Sequence, residues 1–337
     1  MIFDWDRHAA LSDYAELLPY MNASWAKHFE RSEFLGSIAE SSNHIRLSGQ
    51  WGLAPVSAPS HTEADSSLLV PHQGLTINGW ADQVAATVFA GAVNGYAREH
   101  WATERQSPVI LVSPHDPAWS AEEIRRQAGV GGFGAIALPF GPVLFGSIHY
   151  DRVYDAASEV GLPIVAHYSG VEGCYSGAAP LSGGVHTSAF SRKVLMPQVA
   201  ESNISSLAFE GAFERFPGLR FLFSGVGFTW LPNLLWRLDR EWRTFRHDVP
   251  WVKQPPSSYV LKRVWATTWP IREATLAGEW QRLFADESFR SRVVFGSHDP
   301  FDGDSAAHLR EQLGEADGAL VLGNGAQLLP LAQAVRG

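Results

Sequence analysis

The chain has 337 residues, 45% of them hydrophobic and 18% charged, enough apolar material for one large core or two smaller ones. Its net charge is −9 and it has no basic run, which argues against nucleic acid or an anionic membrane surface as the main partner. A single cysteine, Cys174, excludes an internal disulfide and a Cys-rich metal cluster, while the opening MIFDWDRH lacks a signal-peptide profile and no stretch approaches the roughly 20 apolar residues of a membrane span.

A cytoplasmic globular protein is therefore expected. Short apolar runs alternate along the chain with longer amphipathic segments. The runs fall at 2–6, 67–70, 109–112, 135–138, 163–166, 219–223, 264–268 and 293–297. Each has the length and continuous apolar character of a strand buried on both faces of a parallel sheet. Helical patterns lie between them at 81–101, 121–128, 150–160 and 231–246. Gly161 and Pro163 mark the change from helix to fifth strand. Eight strands with intervening helices predict an α/β fold, a (β/α)8 TIM barrel, in one domain. Two stretches break the rhythm, 30–66 and 170–191, rich in Gly and Ser, and read as lids over the C-terminal face. The Trp-rich helix at 231–246 offers a homodimer surface as readily as a surface that packs on the barrel.

In such a barrel the chemistry sits at the C-terminal strand ends. Strand one ends in Asp6-Arg7-His8, which places Asp6 and His8 on one face by the period of two. His72 follows strand two and His115 strand three. Strand five ends at His167, strand six at Ser224, strand seven at Trp269, and strand eight at Ser297-His298-Asp299-Pro300. Asp6, His8, His167 and His298 together form an N/O donor set suited to zinc, with manganese as the other choice. His72, His115, His186, Ser224 and Trp269 are candidates for the substrate-binding wall. Trp230, Trp265, Trp269 and Phe301 near strand ends point to a small aromatic or apolar substrate.

The segment from Ser205 to Arg220 (SSLAFEGAFERFPGLR), with IFDWDRH, AASEVGLPIVAHYSG, GFTWLPNLLWRLDREWR, TTWP and FGSHDP in order, resembles the amidohydrolase-related proteins. These are the aminocarboxymuconate-semialdehyde decarboxylase-like branch of the amidohydrolase superfamily. The resemblance implies a distorted (β/α)8 barrel, metal ligands at Asp6, His8 and His167, and hydrolase or decarboxylase chemistry. It also exposes two departures. Where many members have a His or Glu on strand six, this chain has Ser224, which is no base at neutral pH without a partner. Where the family has Asp on strand eight, this chain has His298, with Asp299 one residue on and, by alternation, expected to face the other way.

His298 and Asp299 are accordingly the candidates for proton transfer, and His298 is equally a candidate ligand. Three functions stay open: a metal-dependent hydrolase of an amide, lactam or ester; a non-oxidative decarboxylase or other C–C lyase; and a metal-free relative serving as a binding scaffold.

Overall fold

The computed structural model describes residues 2–31, 63–80, 82–169, 189–271, 278–300 and 303–328. The two insertions expected at 30–66 and 170–191 lie outside these residues except at their ends, and so do Cys174, His186 and Phe301.

All eight predicted strands are present: β1 (Phe3–Ala9), β2 (Ser66–Pro71), β3 (Gln106–Leu111), β4 (Ala135–Ala137), β5 (Ile164–His167), β6 (Phe221–Ser224), β7 (Val264–Thr267) and β8 (Val293–Val294). They form one parallel sheet in chain order. β8 is shorter than the apolar run at 293–297 suggests, because the residues after Val294 turn their main chain towards β1. Trp5 N–H donates to Phe295 O (2.9 Å), His298 N–H to Asp6 O (2.6 Å) and His8 N–H to Asp299 O (2.8 Å). These bonds bring the two ends of the sheet together, giving a (β/α)8 barrel.

The register separates an inner from an outer face. Leu111, Ala137, Val165, Leu222 and Trp265 lie side by side on one rung, and two residues further along come His167, Ser224 and Thr267. The alternate residues Ile110, Ile136, Ile164, Phe221 and Val264 belong to the apolar layer beneath the helices. This is why the strands read as continuous apolar runs: both faces are covered.

The helices obey their local signals. Asp82 accepts from Val84 and Ala85 N–H at the start of the helix Gln83–His100, and Asp116 accepts from Trp119 N–H with Pro117 opening the helix Pro117–Val130. The helix Asp151–Val160 stops at Gly161, which adopts φ 69°, just before β5. In the helix Leu231–Phe245, Leu231, Leu234, Leu235 and Leu238 are buried, a spacing that forms one stripe on the barrel. Each such Leu contributes about 1.5–3 kcal/mol by burial. Trp236 on the same helix is 71% exposed. Among the described residues no helix is long and apolar enough to cross a membrane.

β1 carries a bulge between Asp4 and Arg7, where three steps along β1 match two along β2. Asp4, fully buried, fastens this bulged strand to the chain beyond β8. Its Oδ1 accepts from Ser297 N–H (2.9 Å) and Asp6 N–H (3.1 Å), and its Oδ2 accepts from the Ser297 hydroxyl (2.6 Å). Replacing Asp4 by Ala strands three buried donors, each worth about 1–3 kcal/mol when left unsatisfied. Asp4→Ala is therefore expected to lower the urea midpoint far more than Ser297→Ala, which removes a single hydroxyl. Equal midpoints for the two variants would contradict this clasp.

Candidate metal centre

Four imidazoles and one carboxylate meet at the C-terminal end of the barrel. His8, His167 and His298 are buried, and each offers a nitrogen such that the three lie within 4.8 Å of one another. The His8 ring is central: its centroid is 4.9 Å from that of His167, 4.4 Å from His298 and 5.4 Å from His72, edge-on in each case. Asp6, from the β1 bulge, places Oδ1 3.0 Å from His167 Nε2 and 3.5 Å from His8 Nε2.

The hydrogen bonding of His167 determines its tautomer. Its Nδ1–H donates to Tyr168 O (2.7 Å), so in the neutral ring Nε2 carries the lone pair. That lone pair faces the Asp6 carboxylate, and two electron-rich atoms at this separation need a cation between them, a proton or a metal. The electrostatics suit a metal. Burial pushes the His8 imidazole well below its ordinary range, and the neighbouring imidazoles add to this. Burial likewise lowers His298 to about 3. Both are neutral at physiological pH and so could offer lone pairs to a metal. Asp6 is penalised by burial, but His167, His298 and a hydrogen bond from Ser224 outweigh this and hold its carboxyl below the usual range. One carboxylate and three neutral imidazoles, all buried, fit a divalent ion.

Two glycines make room. A Cβ on Gly225, at φ 75°, would meet His167 Cε1 at 3.0 Å; a Cβ on Gly296 would lie 2.7 Å from Asp6 Cβ and 2.8 Å from Thr267 Cβ. Ser224 is buried and shares a 2.9 Å hydrogen bond with the Thr267 hydroxyl. It supports Asp6 from below.

The other residues singled out in the sequence go to different places. Asp299 pairs with Arg7 (3.4 Å) on the outer side of the strand ends, while His298 turns inward. The separation is the one alternation at a strand end predicts for neighbouring residues, although His298 itself leaves the extended region, with φ 59°. His72 sits against His8, buried. His115 donates from Nε2 to Asn78 O (2.8 Å), and Asn78 in turn reaches the Ser169 hydroxyl (3.1 Å) after β5. Trp269 lies parallel to His298, ring centroids 3.7 Å apart and 6° between planes. Trp230 donates to Val226 and Gly227 carbonyls and Trp265 sits beneath the Arg292 guanidinium, so both are core residues. Asp4 was not singled out. The D-x-D-x-H spacing of β1, which places Asp4 in phase with Asp6 and His8, is the signal that could have flagged it.

Gly296→Ala is expected to push Asp6 and Thr267 apart, at about 1–3 kcal/mol of stability, and to weaken metal uptake. A variant with unchanged urea midpoint and metal content would show that the close approach is not required.

A model of the amidohydrolase family matches residues 27–327. No curated protein matches the chain. Among solved structures, an amidohydrolase from Mycobacterium avium subsp. paratuberculosis K-10 superposes with a TM-score of 0.64 at 20% identity, over 79% of this chain and 70% of that one. The 5-carboxyvanillate decarboxylase of Sphingomonas paucimobilis has a TM-score of 0.63 at 16% identity, over 97% and 98%. A dihydroxybenzoic acid decarboxylase from Polaromonas sp. JS666, with bound manganese and 2-nitroresorcinol, has a TM-score of 0.62 at 16% identity, over 97% and 96%. At these identities the likeness is one of fold.

Proposed function

The chain belongs to the amidohydrolase family, and from that premise we propose that it is a metal-dependent lyase that releases carbon dioxide from a small aromatic carboxylic acid. The observation that carries this reading is the division of polar groups at the strand ends. The donors His8, His167 and His298 converge with Asp6, whereas the second carboxylate, Asp299, is engaged by Arg7 outside the cluster.

Hydrolysis needs a base to take the proton of the attacking water. Ser224 is no such base, and Asp6 is already engaged with His167. Decarboxylation asks for less: a cation that gathers the substrate carboxylate, and a proton for the carbon that carbon dioxide leaves. Asp6, His8, His167 and His298 would hold a divalent ion, manganese or zinc, which supplies a Lewis acid for an anionic substrate. Burial keeps His8 and His298 neutral and so able to offer lone pairs. Asp6 supplies the negative charge and, through His167, fixes the geometry of the pair. His72, beside His8, is the group assigned to carry the proton. The C–C bond breaks with its electron pair on the ring carbon, and that carbon takes the proton. The decarboxylases of aromatic acids among the similar folds, one of them with bound manganese, support the same substrate class.

A second reading, hydrolysis of an amide, lactam or ester, draws on one observation: Asp6 stays ionised at the cluster. Turnover separates the two. Protein purified without chelator is expected to carry close to one equivalent of divalent metal, lost in His8→Ala and in His167→Ala. With hydroxylated benzoic acids in deuterated water, the expected products are carbon dioxide and an arene bearing one deuterium at the vacated carbon. A product that incorporates labelled oxygen from water, with no carbon dioxide, makes the protein a hydrolase. A folded wild type that takes up neither manganese nor zinc would sink both readings.

A further inference from the structure

We infer that Trp269 is the positioning residue of His298: its indole fixes the plane of the imidazole so that one ring nitrogen reaches the nitrogens of His8 and His167 and completes the donor set. The second half of this inference rests on the metal reading above; the first half does not.

His298 stands in a left-handed backbone conformation, φ 59°, which a non-glycine residue adopts only when its surroundings hold it there. The surroundings impose it. Its N–H is committed to Asp6 O, and the preceding Ser297 is held by Asp4 through both its N–H and its hydroxyl. The backbone is thus determined, but the side-chain torsion beyond Cβ is not determined by these bonds. The indole supplies that second constraint. With planes 6° apart and centroids 3.7 Å apart, rotation of the imidazole about its ring axis drives an edge into the indole face. Held in this plane, the His298 ring stands at 68° to His8 with centroids 4.4 Å apart, and one of its nitrogens lies within 4.8 Å of a nitrogen of His8 and of His167.

Trp269 is itself anchored to both neighbouring strands. Its carbonyl accepts from Gly227 N–H (3.1 Å), beyond β6, and Thr268 donates its N–H to Val294 O (3.0 Å) on β8. The Thr268 hydroxyl meets Gly296 N–H (3.2 Å), two residues before His298. The indole and the imidazole are therefore borne on two rigidly paired strand ends. Trp269 is only half-buried, unlike Trp230 and Trp265, so its position is not explained by core filling. The electron-rich face of an indole also favours an electron-poor partner, and an imidazole that has donated its lone pair to a metal is such a partner. A carboxylate in the place of His298 would gain nothing from this contact.

The test uses Trp269→Ala, Trp269→Phe, His298→Ala and the double variant Trp269→Ala/His298→Ala in the full chain. In metal-free wild type the His298 ring protons are expected upfield in long-range proton–nitrogen spectra, shifted by the indole ring current; Trp269→Ala should abolish the shift and Trp269→Phe keep part of it. In zinc titrations Trp269→Ala should bind about 10-fold more weakly and Trp269→Phe by no more than about threefold. His298→Ala should lose at least as much as Trp269→Ala, and the double variant should be no weaker than His298→Ala alone. Additive losses, or zinc affinity unchanged in Trp269→Ala, overturn the proposal. If wild type takes up neither zinc nor manganese, the metal reading fails, and the spectra decide alone: His298 shifts unchanged in Trp269→Ala overturn the positioning role.

Discussion

The carboxylate of Asp4 joins the two strands that the rest of the site depends on. It reaches from β1 to Ser297, 293 positions away in the chain, and so holds His298, beyond β8, against His8 on β1. A buried carboxylate is costly to desolvate. Burial raises Asp4 to about 6, and the bonds from Ser297 pull it back only partly. The three donated hydrogen bonds offset that cost. What the barrel gains is a fixed distance between β1, bearing Asp6 and His8, and the turn that bears His298.

Much of this architecture was legible in advance for a physical reason. A strand covered on both faces must be apolar along its whole length, so eight such runs separated by amphipathic helices leave few alternatives to a closed parallel sheet. Helix ends were legible where a single residue determines the backbone, as at Gly161. The pairing of Asp6 with His8 followed from the period of two. That His298 and Asp299 go to different sides also followed from that period, since neighbouring residues at a strand end alternate, whereas the left-handed backbone at His298, φ 59°, did not. Nor did proximity to a strand end distinguish Trp269 from Trp230 and Trp265. Only Trp269 stacks on a cluster imidazole, and that depends on an element elsewhere in the chain. Asp4 escaped notice for the same reason, since its partner is nearly the whole chain away.

His298 stands where the resemblance implies a carboxylate, and a neutral imidazole there would leave the centre with less negative charge. With Asp6 as the one anionic donor beside neutral imidazoles, a divalent ion in the proposed site keeps a net positive charge. That residual charge sits in a buried, low-dielectric setting where it is poorly screened. An anionic substrate would be drawn to it more strongly than to a centre with two carboxylates. Ser224 belongs to the same rearrangement. Its hydroxyl links Thr267 and Asp6 by hydrogen bonds.

The clasp between the first and the last strand has a consequence for how the protein is assembled. Contacts this far apart in sequence form late, because the chain between them must already be ordered before closing it is favourable. A partly folded chain holding β1 to β7 would bring Asp6, His8 and His167 towards one another but would lack both His298 and the turn that locks Asp4. An ion bound by the full set would therefore recognise the closed ring and not its precursors, adding stability to the finished barrel alone. Metal occupancy would then be a readout of completed folding as well as of catalytic competence.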